Sequence, residues 1–416
     1  MTTTPVSVLA INRLILFFMH RFTHFLRCTL ALLVGISPVL AQTSVQKKIQ
    51  TDLIMAEDGA TIDLPAGTFQ LTGSLSLQDK KNVTIRGAGA GKTVLSFRGQ
   101  TEGAEGLRVT NGRNIVLENM TIQDTKGDAI KTMNVAGITF RNLLVEWTGE
   151  PKTTNGSYGL YPVQCRQVQI ESCTAVGASD AGIYVGQSRQ IVVRNCTAHH
   201  NVAGIEIENS IGADVHDNVA YDNTGGILVF DLPDLVQKKG GNIRVFNNRI
   251  ERNNWDNFAP KGNIVGKVPA GTGILILATS GVEIFGNQLT NNKSLGVGII
   301  SYFITEEPIH DTQYNPYPTA IAIHDNVFTR PAQYPTRKGR MGLMFRFKLR
   351  FGKNVPDIIW DGITDEKAPA TPPVLCLGQN TNATFANIDA GHDFKAISRD
   401  ATPHACALPP LTAVAN

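Results

Sequence analysis

Val202-Ala203-Gly204-Ile205-Glu206-Ile207-Glu208-Asn209-Ser210 is followed 22 residues later by Thr224-Gly225-Gly226-Ile227-Leu228-Val229-Phe230-Asp231-Leu232. A glycine or small residue leads into a short alternating run in both. Alternation puts Ile205 and Ile207 on one side of a strand and Glu206 on the other, with Glu208 beside it. The same motif opens Gly106-Leu107-Arg108-Val109, Ala129-Ile130-Lys131-Thr132, Gly159-Leu160-Tyr161, Gly182-Ile183-Tyr184-Val185, Gly273-Ile274-Leu275-Ile276 and Gly298-Ile299-Ile300.

A second β-branched run recurs around it, starting at Val83, Ile115, Ile138, Val168, Ile191, Ala213, Ile243, Val282 and Ile321. Successive spacings are 32, 23, 30, 23, 22, 30, 39 and 39 residues. The shortest are the bare unit and the longer ones carry loop insertions. Five residues into each unit stand Met120, Leu143, Cys173, Cys196, Asn218, Asn248, Asn287 and Asn326. The four asparagines form a column whose amides can bond along the stack and satisfy turn backbone groups. Cys173 and Cys196 share it, which reads as buried structural thiols. A leucine-rich horseshoe also uses an Asn/Cys column. This chain, however, is rich in Ile and Val and leaves no room for a helix in each unit. The class is all-β.

The chain has 416 residues, 42% of them hydrophobic, and a formal charge of +3. That is enough apolar material for a core, so global disorder is excluded. Arg13, Arg21 and Arg27 lie in the first 41 residues, which contain no acid. They precede an apolar stretch and Val39-Leu40-Ala41, with small residues at −3 and −1. This reads as a signal peptide, 1–41, cleaved after Ala41, with Met19 as an alternative start to Met1. The expected location is periplasmic or secreted. The remainder holds 35 cations against 35 anions, so nucleic acid is not the expected partner. After the leader no run of 18 apolar residues occurs, so no transmembrane segment is expected. Cys165, Cys173, Cys196, Cys376 and Cys406 remain, an odd number with no C-x-x-C spacing. Cys376 and Cys406 are the expected disulfide, fastening a tail over the end of the stack.

The opening Ile62-Asp63-Leu64-Pro65-Ala66-Gly67-Thr68-Phe69 and the repeats together resemble the right-handed parallel β-helix proteins. Nine or ten coils ~4.8 Å apart are expected, on the order of 45 Å in length. Residues 42–362 would form the β-helix with an N-terminal cap, and 363–416 a C-terminal tail or cap. More narrowly, Asp180 to Ser188, Val202 to Asn209, Asn223 to Pro233 and Asn257 to Gly262 resemble a family of exported bacterial proteins with tandem β-helix repeats. That resemblance implies fold and export. In that family the gene often lies beside one for a secreted c-type cytochrome-like protein.

The outward residues of the glycine-preceded strands would stack as Arg108, Lys131, Tyr161, Tyr184, Glu206, Leu228, Leu275 and Ile300. Insertions Trp147–Tyr158, Asp231–Gly241, Asn253–Thr272 and Tyr302–Thr319 flank that face. A charged and aromatic floor between long loops suits an extended polysaccharide, because Tyr and Trp offer a sugar apolar area and a polar tip. The competing interpretation is a solvated face whose apolar half is covered by the inserts. Candidate catalytic residues are Lys131, Tyr184 and Glu206. Candidate substrate-binding residues are Arg108, Tyr161, Asp180, Gln187, Asp231, Trp255 and Tyr302. Glu206, Glu208 and Asp231 would offer oxygens of the kind Ca²⁺ takes, or divide acid and base work. The alternative reading makes them surface acids balancing Arg108, Lys131 and Lys152. His310-Asp311 is a further candidate acid/base pair. His199-His200 is a weak candidate for metal, because adjacent side chains at a turn should diverge.

The Asp-Pro-His-Asp of mannuronan epimerases, the Gly-His-Gly of polygalacturonases and the Trp-Ile-Asp-His of pectate lyases are all absent. If the protein is an enzyme, a lyase or epimerase is expected rather than a hydrolase. The alternative is a non-catalytic scaffold or partner of the cytochrome-like protein. Phe345-Arg346-Phe347-Lys348-Leu349-Arg350-Phe351 alternates strictly and reads as a terminal strand whose cations block edge pairing.

Overall fold

The computed structural model describes residues 45–367 and 372–415. The leader assignment falls on residues outside these. Three parallel sheets of 11, 10 and 11 strands run along the stack, each coil giving one strand to each sheet except the last, which gives none to the second. The first sheet starts at Thr61–Asp63, the second at Gly67–Gln70 and the third at Gly73–Gln78. The register repeats coil after coil. Ile205 pairs with Ile183 and Ile227, and Val215 with Val193 and Val245. Crossovers between parallel strands are right-handed on general grounds.

The corners explain why these residues make these coils. In each coil the residue before the Asn/Cys column takes a left-handed conformation. Asn195, Asp217, Asn247 and Asp325 all have φ near 55°, where short polar side chains are tolerated best. Just after it the column is a ladder. Asn218 Nδ2 donates to Asn248 Oδ1, Asn248 to Asn287 and Asn287 to Asn326, at 2.9–3.0 Å. Asn326 continues it to Asn380. Cys196 accepts its place in the ladder, its N–H donating to Asn218 Oδ1 at 2.9 Å. Cys165, Cys173 and Cys196 are buried free thiols.

A second ladder, unforeseen, follows the next corner: Asn201, Asn223, Asn253 and Asn292, linked at 2.9–3.1 Å. The glycine column sits at the start of the third-sheet strands. A Cβ on Gly204 would lie 2.6 Å from Gly226 O, and one on Gly226 2.6 Å from Gly273 O. At these coils the backbone of one passes too close to the next for a side chain, while Ala129 holds the same position earlier in the stack.

At the N-terminal end, residues 49–55 are helical, with Ile49 and Leu53 buried. Gln50 bonds both backbone groups of Ser76, so a side-chain amide stands in for the missing neighbour strand.

Two expectations need correction. Phe345–Phe351 is not a strand. Gly339–Leu343 is a helical turn that widens over Met344–Lys348. Phe345 and Leu349, four apart, are buried while Phe347 is exposed. The stretch satisfied a period of two, but its i, i+4 pair packs against Leu295 and Ile359, and that contact decides. The Cys376–Cys406 disulfide forms as expected and His404 packs on Trp360 and Phe385 of the last third-sheet strands, while the last residues run on along the side of the stack. Leu411 N donates to Glu283, Val414 N to Asp214 and Asn242 Nδ2 to Thr412 O. Part of segment 363–416 belongs to the coils, since Leu375–Leu377 and Phe385–Asn387 close the first and third sheets. No helix among the described residues is long and apolar enough to cross a membrane.

Candidate functional site

The register confirms one outward row on the third sheet: Arg108 pairs with Lys131, Lys131 with Tyr161, Tyr184 with Glu206, Glu206 with Leu228 and Leu228 with Leu275. The next member is Gly298, not Ile300. Ile300 stands in the adjacent outward column with Glu208, Phe230 and Leu277. Reading Gly298-Ile299-Ile300 like the earlier strands missed that Leu295 begins this one, two residues sooner.

The row is open at one end and covered at the other. Arg108 is exposed, and Lys131 and Tyr161 are half-buried. Tyr184 and Glu206 are 4% and 3% exposed. The cover is the two long inserts. Val265, Val268, Tyr302 and Tyr314 pack on Tyr184, Leu228, Phe230 and Leu275, with Phe258 and Ile264 joining from the edge. Asn263 Nδ2 reaches Asp180 Oδ2 at 2.8 Å, and Tyr314 Oη donates to Asp231 O at 2.6 Å. The reading of Glu206 and Glu208 as surface acids is therefore overturned: both lie under the inserts.

Four carboxyls share this covered space: Asp180, Glu206, Glu208 and Asp231. Burial pushes Asp180, Glu208 and Asp231 up to about 7. It pushes Glu206 well above the usual carboxylate range, with Asp180 and Glu208 adding to the effect. Tyr184 Oη donates to Glu208 Oε1 at 2.5 Å. Glu206 Oε2 and Asp231 Oδ1 are buried without a partner. Such groups are held neutral by desolvation unless a cation arrives.

Calcium does not fit. Among the described residues no group of three or more His, Cys, Asp and Glu side chains is arranged to hold a metal ion. Oxygens that would have to converge are turned to Tyr184, Asn263 and Gly240 instead.

At the open end the chemistry differs. Tyr158, Tyr161 and Tyr184 form a triad with centroids 4.5–4.9 Å apart. Lys131 Nζ lies 4.7 Å over the Tyr161 ring and 4.0 Å from Asp128 Oδ2. Asp128, missed in the sequence, stands one coil before Tyr158, whose N–H donates to Asp128 Oδ1 at 3.3 Å. Burial raises it to about 6, against the pull of Lys131. Its signal was available as the position three before Lys131, where the Tyr161 coil has Tyr158. Burial also raises Tyr161 to about 12 and Tyr184 further, so both phenols keep their protons.

Other candidates are dispersed. Gln187 lies at the far corner of the coil, its Oε1 accepting from Val236 N. Trp255 packs edge-on against His200, away from the row. Tyr302 is 4% exposed and belongs to the cover. Asp311 is taken by Lys238 at 2.6 Å, so it does not pair with His310. His199 and His200 do not diverge, since their Nδ1 atoms are 2.8 Å apart.

Such a molecule, with its coils, ladders and one-sided row, is a single-stranded parallel β-helix protein. The model of the right-handed β-helix region matches residues 73–236 and 152–305, together more than half of the chain. The chain belongs to that family. Among solved structures it is similar to the A-module of a mannuronan C-5 epimerase from Azotobacter vinelandii, at 15% identity and TM-score 0.49. That match covers 83% of this chain and 91% of that one. An alginate lyase from a Paenibacillus species matches at 14% and 0.44, covering 68% and 95%. An exopolygalacturonase from Thermotoga maritima matches at 15% and 0.41, covering 65% and 73%. At these identities the likeness is one of fold. No curated protein matches the sequence.

Proposed function

We propose that the protein works outside the cytoplasm on an extended acidic polysaccharide, which it binds along the open end of the third-sheet row and modifies by proton transfer. The observation that carries this is the Asp128–Lys131–Tyr161 constellation beside the tyrosine triad. A cation, aromatic edges and an acid of near-neutral pKa meet there in a half-buried place.

Arg108 and Lys131 hold a sugar carboxylate, which acidifies the neighbouring C–H. Asp128, ionised above about pH 6, accepts that proton. Tyr161, which stays protonated, is the donor. For elimination, the C–H pair becomes the new C=C as the glycosidic C–O bond breaks, and Tyr161 protonates the leaving oxygen. For epimerisation, Tyr161 returns a proton to the same carbon from the other face. Tyr184 and Glu206, the other candidates from the sequence, stand behind this front.

The test incubates the purified protein with alginate- and pectin-type polyuronates. It reads ultraviolet absorbance of unsaturated ends, and proton exchange in D₂O by NMR. Loss of either signal in Asp128→Asn and Tyr161→Phe, with binding kept, supports the roles. Wild-type protein that neither binds nor alters any polyuronate sinks the proposal.

A further inference from the structure

The corner where third-sheet strands turn into first-sheet strands carries a cavity of about 640 Å³ that plays no part in the row. Its lining sets the donors of Asn134, Gln164, Gln187, Arg166 and Arg189 beside Val135, Ala136 and Val236. Asn134, Gln164 and Gln187 occupy the left-handed corner position of three successive coils, with φ of 57°, 54° and 52°. Arg166 and Arg189 follow two residues later and are direct register partners on adjacent coils. Both are exposed, and neither ion-pairs with a carboxylate among the described residues.

The wall is the 231–241 insert, and it is held in place. Asn209 clamps it, its Nδ2 donating to Leu232 O and Gln237 O and its Oδ1 accepting from Leu232 N, at 2.8–2.9 Å. Gln187 Oε1 accepts from Val236 N at 3.0 Å, and Asp231 Oδ2 from Gly240 N at 2.8 Å. Lys238 ties the insert to Asp311. Arg189 donates to Gln237 Oε1 at 2.6 Å, which fixes one guanidinium before any ligand arrives. No carboxylate lines the space.

A cavity of this size is in the range of ligand sites. Guanidiniums at coil spacing, ~4.8 Å apart, suit carboxylates through paired N–H···O bonds. From this geometry we infer that the Arg166–Arg189 corner is a second anion-binding subsite, taking carboxylate-bearing sugar residues. It rests on the polysaccharide reading for the polymer, but not for the anion. Tyr161 and Arg166 are five residues apart on one coil, on either side of the corner between the third and first sheets.

The test is isothermal titration with a uronic-acid oligomer, with sodium glucuronate, and with a neutral dextran oligomer as control. Arg166→Gln/Arg189→Gln, both exposed positions, is compared with Lys131→Ala. The double variant is expected to bind the oligomer about tenfold weaker or worse, with the difference shrinking in high salt. Unchanged oligomer affinity in the double variant overturns the subsite and leaves the row standing. Glucuronate binding that the double variant abolishes, without oligomer binding by wild type, keeps the subsite and removes the polysaccharide. Binding of neither anion overturns the inference, as does equal binding of dextran.

Discussion

Asp231→Asn tests whether the covered carboxyls are held neutral. In the folded chain Asp231 titrates near 7, raised chiefly by burial, against about 3.9 in an unfolded chain. Between those pH values the folded state binds the extra proton, so stability falls as pH rises and levels off above about 7. From about pH 5 to about pH 8.5 the unfolded group is already ionised. The folded group must then give up its proton across roughly 2 pH units, or about 3 kcal/mol as an upper figure. Asn removes that titration. Its carbonyl can still accept from Gly240 N, and its amide replaces an oxygen that has no partner now. Urea unfolding at both pH values gives the comparison. The wild type should lose more stability than the variant across the interval, and the variant should be the more stable of the two at high pH. Parallel curves would mean that Asp231 is ionised throughout, and the account of the covered space would fail.

Asn248→Ala removes one rung of the first ladder, where Asn218 donates to it and it donates to Val215 O and Asn287. Buried groups on both sides lose partners, so a loss of about 2–4 kcal/mol is expected by denaturant titration. Gly204→Ala forces a Cβ toward Gly226 O. It should lower stability by about 2 kcal/mol or more, whereas Gly59→Ala, with open space around it but a positive φ, should cost about 1 kcal/mol. Cys376→Ser/Cys406→Ser opens a loop of sequence separation 30. A loss of about 3–4 kcal/mol follows from loop closure, read as a lower urea midpoint with faster proteolysis of the 401–415 segment.

The coils were legible because their signal is repetitive. Each Ile–x–Ile run, each glycine and each Asn of the first ladder recurs at a spacing that local sequence shows. The second ladder was equally visible in principle, since Asn201, Asn223, Asn253 and Asn292 each stand five residues after a member of the first. What failed was whatever depends on long-range covering. Glu206 alternates as an outward residue and is outward, yet it is buried beneath inserts that begin more than 40 positions further along the chain. No pattern inside its own strand could carry that. Asp128 was overlooked for a related reason: its importance comes from Lys131, in the strand that follows it, and from Tyr158, a coil on. Phe345–Phe351 failed differently, because two periods fitted it and only the packing of Phe345 and Leu349 chose.

Along the row, acid and apolar residues occupy equivalent positions beneath one cover. Leu228 and Leu275 occupy the coils after Glu206 in the same column, and both are fully covered by the same inserts. An apolar residue therefore fits beneath that cover, and folding alone would favour one at position 206. The change from leucine to acid falls within the covered part, since Glu206 and Tyr184 are buried as well, and the face opens only at Tyr161 and Lys131. Acids are buried under the tail as well, but Asp214 and Glu283 there pair with Arg244 and His324, whereas among the described residues no cation pairs with Glu206 or Glu208. Buried acids placed between an apolar seal and a half-open aromatic and cationic front are what a proton-handling site needs. Their placement is a reason to look for chemistry at the open end, with the seal serving to hold the inner carboxyls in their protonated form.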